Sequence, residues 1–242
     1  FRTTQPAPSV PKIQLIAGFA QGGAEPLDND VAGADAGLLR ISELSSEAKT
    51  LQKVSQTISD IPWGAWLADG GLRDIEQVTK AGCDFVIFPA TKTPLTVLQN
   101  DKIGKILEVE GSLSEGLLRA VNDLPVDAVL IASGQEEDNF LTWQHLMLFR
   151  RFAALLMKPL LVSIPSKVTS GELQALWEAG VNGVVTEVTA GQSHDRVKEL
   201  RQIINQLTFP SPHRREKTAP RLYSIGQGLN KAATEEDEEE EE

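Results

Sequence analysis

Cysteine is almost missing from this chain: its 242 residues hold one, Cys83. A single thiol excludes a disulfide within the chain and fits a reducing compartment, so a cytoplasmic setting is expected. A basic surplus is missing too. Lys and Arg number 23 against 34 Asp and Glu, which leaves no electrostatic footprint for nucleic acid. No apolar run is long enough to span a bilayer. The first residues lack the basic, apolar and small-residue succession of a signal peptide. The chain opens on Phe1 rather than Met, so a preceding segment is expected. No G-x-G-x-x-G follows the first apolar run, where Gly18-Phe19-Ala20-Gln21-Gly22-Gly23 stands instead, so the dinucleotide-binding fingerprint is missing. No His stands at the end of an apolar run. His145 and His213 fall on a helical pattern and in the tail, and His194 lies just past the last run.

What the chain does have is one short phrase written three times. Ala32-Gly33-Ala34-Asp35, Ala81-Gly82-Cys83-Asp84 and Ala179-Gly180-Val181-Asn182 each precede an apolar run. A helix that ends on a left-handed Gly and runs into a buried strand has this form, and the Asp or Asn satisfies loop backbone groups with its side chain. Cys83 lies at the start of a strand and reads as a small core residue. Apolar residues make up 41% of the chain, enough for a substantial core. The net charge of −11 is concentrated, because eight consecutive acids fill 235–242. The rest of the chain is only mildly acidic.

Eight apolar runs read as strands, at 12–19, 37–42, 63–68, 84–89, 105–110, 127–132, 159–164 and 183–188. Helical patterns separate most of them, at 45–59, 71–81, 113–124, 139–157, 169–179 and 193–207, and a short turn of helix starts at Pro94. Residues 1–11 read as a Pro-rich linker and 208–242 as a disordered tail with an acidic end. The alternation of strand and helix, joined by the Ala-Gly-x-Asp/Asn phrase, resembles the (β/α)8 or TIM-barrel superfamily over residues 12–207. That resemblance implies a closed parallel barrel, and it places the phrase at the stability end of the fold, away from the chemistry. An open doubly wound parallel sheet is the alternative. The segment 21–31, with its Gly, Pro and acids, is too broken for a regular first barrel helix.

Barrel enzymes build their sites where strands end. Alternate residues of a strand face opposite sides. If Leu107 and Val109 face the helices, then Ile106, Glu108 and Glu110 face the axis. The same rule turns Arg40, Ser42, Ser163 and Glu187 inward. Buried carboxylates need a partner. Glu108, Glu110 and Glu187 are therefore candidate ligands for a hard ion such as Mg²⁺, and Glu110 or Asp69 is a candidate general base. The plain structural alternative is an Arg–Glu network or a wet rim. A second candidate is a small anion held after strands seven and eight by Lys167, Thr169, Ser170, Gly191 and Ser193. Ser and Thr there also serve as ordinary helix caps. Lys92, beside two Thr in a loop, reads as a solvated charge.

The helical pattern at 139–157 has an apolar arc wider than a one-sided helix needs. Either neighbouring loops or the tail bury it, or Trp143, Leu146, Phe149 and Phe152 form an interface with a second copy or another protein. Two functional readings follow. One is a divergent, non-catalytic barrel that binds proteins as a scaffold. The other is a barrel enzyme of lyase or isomerase type, acting on a small anionic or phosphorylated substrate with or without a metal.

Overall fold

A computed structural model describes residues 13–20, 31–41, 51, 61–68, 72–132, 140–165, 167–188 and 195–208. All of these lie in the first of two units, Phe1–Thr208; the second, Phe209–Glu242, lies outside the described residues. So do the expected helix at 45–59, apart from Leu51, and the broken segment at 21–30.

Eight strands close into a parallel barrel in chain order: β1 (Gln14–Ala20), β2 (Ala36–Ile41), β3 (Trp63–Leu67), β4 (Phe85–Pro89), β5 (Gly104–Glu110), β6 (Ala128–Ala132), β7 (Leu160–Ile164) and β8 (Gly183–Val188). Pairing of β1 with β8, Gly18 against Glu187, completes the ring. The open doubly wound sheet is thereby excluded. Between strands run α1 (Leu72–Lys80), α2 (Glu115–Ala120), α3 (Trp143–Leu155) and α4 (Ser170–Ala179), with α5 (Asp195–Gln206) after β8. The short turn expected from Pro94 is a 3₁₀ helix, Leu95–Gln99. Pro94 is its extended cap rather than its first helical residue.

The pleat divides the core in two. Ile16, Leu38, Ile87, Ile106, Leu130, Leu161 and Val185 pack together inside the ring. Their chain neighbours Leu39, Ile41, Leu107, Val109, Val129, Val162 and Val184 pack outward against Phe152, Leu173 and Leu200 of the helices. A glycine is required inside the ring at Gly64, because a Cβ there would lie 2.2 Å from the Phe85 ring.

The repeated phrase is a clasp. Gly33, Gly82 and Gly180 all take positive φ, which only Gly adopts without strain. The residue after each is buried (Ala34, Cys83, Val181), and the Asp or Asn that follows grips the preceding strand. Asp35 Oδ2 accepts from the Leu15 N–H at 2.7 Å, and the Asp35 N–H returns a bond to the Leu15 carbonyl at 2.8 Å. Asp84 does the same to Trp63, at 2.9 Å in both directions. Asn182 does it to Leu160, at 2.9 and 2.8 Å. A fourth copy, Asp127 on Lys105 at 2.7 Å each way, stands in Pro125-Val126-Asp127 without the Ala-Gly signal. There a 3₁₀ turn, Val121–Asp123, ends the preceding helix instead of a left-handed Gly. The clasps join β1 to β2, β3 to β4, β5 to β6 and β7 to β8, at the end of the barrel remote from the mouth.

Since Asn182 serves as well as the three Asp, the grip needs an acceptor oxygen and not a charge. Asp127→Ala is expected to lose about 1 kcal/mol in urea unfolding, and Asp127→Asn to stay near wild type. A charge-dependent loss in the Asn variant would refute the clasp.

Candidate functional site

The mouth of the barrel is built by inner-facing side chains near the carboxyl ends of the strands. Arg40, one residue before the end of β2, reaches to Glu187, one before the end of β8, with Nη2 to Oε1 at 2.7 Å. β1 lies between them, with Gly18 opposite Glu187 and Ala20 opposite Arg40. The Arg40 guanidinium carbon stands 4.1 Å from the centroid of the Trp66 ring on β3. The Trp66 indole N–H donates to Glu108 Oε2 on β5 at 2.8 Å. A continuous polar chain, Glu187–Arg40–Trp66–Glu108, therefore crosses the mouth from β8 to β5.

Solvent reaches this chain. The Arg40 and Glu187 side chains are 48% and 60% exposed, so their ion pair contributes about 1 kcal/mol or less and is readily exchanged. Stacking on Trp66 does more to fix the plane of the guanidinium. Gly18, Leu38, Trp66 and Val185 floor the pair around a space of about 10 Å³, roughly one water-sized sphere.

Of the four side chains expected to converge, Arg40, Glu108 and Glu187 belong to this polar chain and Glu110 is exposed outside it, while Ser163 shares the side of Leu161 on β7. The metal reading needs correction. Among the described residues no group of three His, Cys, Asp or Glu could hold an ion, and Glu108, Glu110 and Glu187 do not form one. The Trp66 indole occupies the space between Arg40 and Glu108. Each carboxylate has its own partner: Arg40 for Glu187, Trp66 for Glu108, and the Ser112 hydroxyl for the exposed Glu110, at 3.1 Å. Trp66 escaped the sequence analysis, although the alternation applied to β3, with Ala65 and Leu67 outward, turns it into the ring.

The anion candidates divide. Gly191 and Ser193 lie outside the described residues, as do Asp69, Ser42 and His194. Thr169 is the cap of α4. Its hydroxyl accepts from the Glu172 N–H, and the Glu172 carboxylate accepts from the Thr169 N–H and hydroxyl, both at 2.7 Å. A carboxylate already stands where the anion was expected. Lys167 and Ser170 are exposed beside it, and Lys92 is exposed in the turn after β4.

Cys83 is 6% exposed and lies at the clasp end. Burial is the main cause that pushes its thiol from an ordinary 9.0 up to about 12. Hydrogen bonding to the Phe85 and Ala65 backbone opposes this, and the charge of Asp84 adds to it. The thiol is therefore expected to ignore an aromatic disulfide reagent at pH 8 in the folded protein and to react once in urea. The pH dependence follows from the same shift. Between about pH 9 and 12 the unfolded chain releases a proton that the folded chain keeps, so stability falls as pH rises. Cys83→Ala should remove that slope; an identical slope in both proteins would refute the assignment.

The interface candidates on α3 separate into two groups. Phe149 and Phe152 are 5% and 0% exposed and belong to the protein's own core. The wide apolar arc arises because α3 packs on the barrel and on both flanking helices. Arg150 donates to the carbonyls of Glu178 and Ala179 at the end of α4. Arg151 donates to the carbonyls of Gly111 and Leu113. Trp143 is 81% exposed, with Phe140 and Met147 also open and Leu146 half-buried. Trp143 and Leu146 line a groove of about 240 Å³ between α3 and α4, together with Leu141, His145, Phe149 and Leu176 among others. No helix among the described residues is long and apolar enough to cross a membrane.

No protein-family model matches the sequence, and no curated protein matches it. Solved structures with the same fold include variants of the tryptophan synthase alpha subunit from the hyperthermophile Pyrococcus furiosus. One superposes with a TM-score of 0.62 at 13% identity, covering 82% of this chain and 99% of that one. A second gives 0.62 at 14% with the same coverage, and a structure of that subunit solved alongside calorimetry gives 0.58 at 14%. At such identities the likeness is one of fold.

Proposed function

We propose that this chain is a barrel enzyme of lyase or isomerase type, working on a small anionic or phosphorylated molecule at the carboxyl ends of the strands. The observation that carries the reading is a segregation inside the ring. The clustered inner side chains are apolar, whereas Arg40, Glu108 and Glu187 gather at the mouth within one hydrogen-bonded and stacked chain. A scaffold has no need to place ionisable groups there. The likeness to subunits of a synthase supports the reading by analogy of fold. Glu108 is the group for proton transfer. One of its oxygens is held by Trp66, which fixes the carboxylate, and a positioned carboxylate is what such a step requires. A cytoplasmic setting belongs to the same reading, supported by the lone, buried thiol.

The test is solvent exchange. Small phosphorylated and carboxylated carbonyl compounds are incubated with the protein in D₂O and followed by proton NMR. The reading expects one class to lose a C–H signal next to its carbonyl. No exchange in any class, together with no rise in the unfolding midpoint at millimolar ligand, overturns it.

The second reading, a scaffold that binds a protein partner or a second copy, is favoured by one observation: Phe140, Trp143 and Met147 are exposed at and just before the first turns of α3, and Trp143 lines the α3–α4 groove.

A further inference from the structure

We propose that Arg40 is the anchor for the anionic group of the substrate, and that Glu187 is the carboxylate it gives up when that group arrives. This rests on the enzyme reading above and adds to it the identity of the anchor and the exchange. The ligand chemistry is an oxyanion with two oxygens spaced for one edge of a guanidinium, a carboxylate or a phosphate.

Arg40 is held in place by a ring more than by its charge partner. Trp66 lies 4.1 Å below the guanidinium carbon, and Trp66 is itself tied to Glu108 at 2.8 Å. The fork therefore keeps its plane when Glu187 leaves. Among the described residues Glu187 alone accepts from it, through one nitrogen at 2.7 Å. A guanidinium carries five donors, and a planar or tetrahedral oxyanion satisfies two of them side by side. Glu187, 60% exposed, can turn into water without leaving a buried charge. After the exchange the guanidinium still faces an anion, so its own charge stays paired. Beneath the pair, Gly18 adds no side chain, so Leu38 and Val185 form a close floor with room for about one water. The ligand is thus received from the open side.

The experiment titrates inorganic phosphate and, separately, succinate into the full chain at constant ionic strength held with chloride, reading heat of binding and unfolding midpoint. Wild type is expected to bind at least one of them; phosphate alone or succinate alone names the group, and either supports the proposal. Arg40→Gln is expected to weaken binding about 10- to 100-fold, the loss of a charge-assisted hydrogen bond. Arg40→Lys keeps the charge without the fork and should fall between, which guards against a misfolded Gln variant. Glu187→Gln removes the competitor and should tighten binding up to about fivefold. If Arg40→Gln binds as wild type does, the anchor lies elsewhere and this proposal fails while the enzyme reading stands. If Glu187→Gln weakens binding as much as Arg40→Gln, Glu187 positions Arg40 and the exchange is refuted. If neither anion binds any variant, the anchor is refuted, and solvent exchange judges the enzyme reading separately.

Discussion

Phe152→Ala is expected to lower the unfolding free energy by about 3–5 kcal/mol, whereas Trp143→Ser changes it by no more than about 0.5 kcal/mol. Both are large aromatic residues on the same helix, nine positions apart. Phe152 is fully buried between α3 and the barrel wall. The Arg151 guanidinium, 5.4 Å from the centroid of its ring, ties the helix to the loop after β5 through the Gly111 and Leu113 carbonyls. Removing the ring leaves a cavity that this tethered helix cannot collapse to fill. Trp143, 81% exposed at the first turn, loses almost nothing on folding when it is shortened. Urea unfolding followed by circular dichroism, with unchanged slopes, measures both. A loss under about 1 kcal/mol at Phe152 would mean that α3 does not pack as described. Sedimentation of Trp143→Ser tests the second functional reading with the same protein. If wild type self-associates and the variant does not, the exposed flank is an interface. If wild type is a monomer and its association state is unchanged in the variant, a second copy does not dock there.

Much of the architecture could be read in the residues, for identifiable reasons. The Ala-Gly-x-Asp/Asn phrase is legible because each position answers a separate demand: a left-handed residue, a buried one, an acceptor for a strand N–H. The fourth clasp, Asp127, escaped because its helix ends in a 3₁₀ turn, so only the last of the three demands leaves a trace. Strand alternation placed Arg40, Glu108 and Glu187 inside the ring, since period two leaves no freedom once Leu39, Leu107 and Val184 face outward. What alternation does not supply is the partner of each side chain. Trp66, unweighed, takes the room in which three carboxylates were to meet. On α3 the apolar arc recorded burial on several sides but not which residues remained outside. Phe149 and Phe152 therefore could not be told from Trp143 by pattern alone. At α4, Thr169 and Glu172 have the spacing of a capping box, which was readable as a cap. That cap has placed a carboxylate at the helix start, unfavourably for an anion.

The mouth makes a sharper demand on Glu108 than on its neighbours. Glu108→Gln is expected to slow solvent exchange by about 10²-fold or more, the typical contribution of a positioned general base. The amide oxygen can still accept from the Trp66 indole, so fold and ligand affinity should hold while exchange is lost. That divergence separates chemistry from packing. Glu110→Gln is expected to change exchange little, because Glu110 is exposed at the rim and held by Ser112. Trp66→Phe keeps a ring beneath Arg40 and removes the hydrogen bond to Glu108. Because Trp66 is a positioning residue, this substitution should lower the exchange rate by about tenfold or more, comparable to the loss of a hydrogen bond to a charged acceptor, and it should also alter the pH profile of exchange. If exchange is lost in Glu110→Gln and kept in Glu108→Gln, the base stands at the rim. If it is lost in Asp69→Asn instead, the base belongs to the segment after β3, and the chain from Glu187 to Glu108 serves binding and not proton transfer.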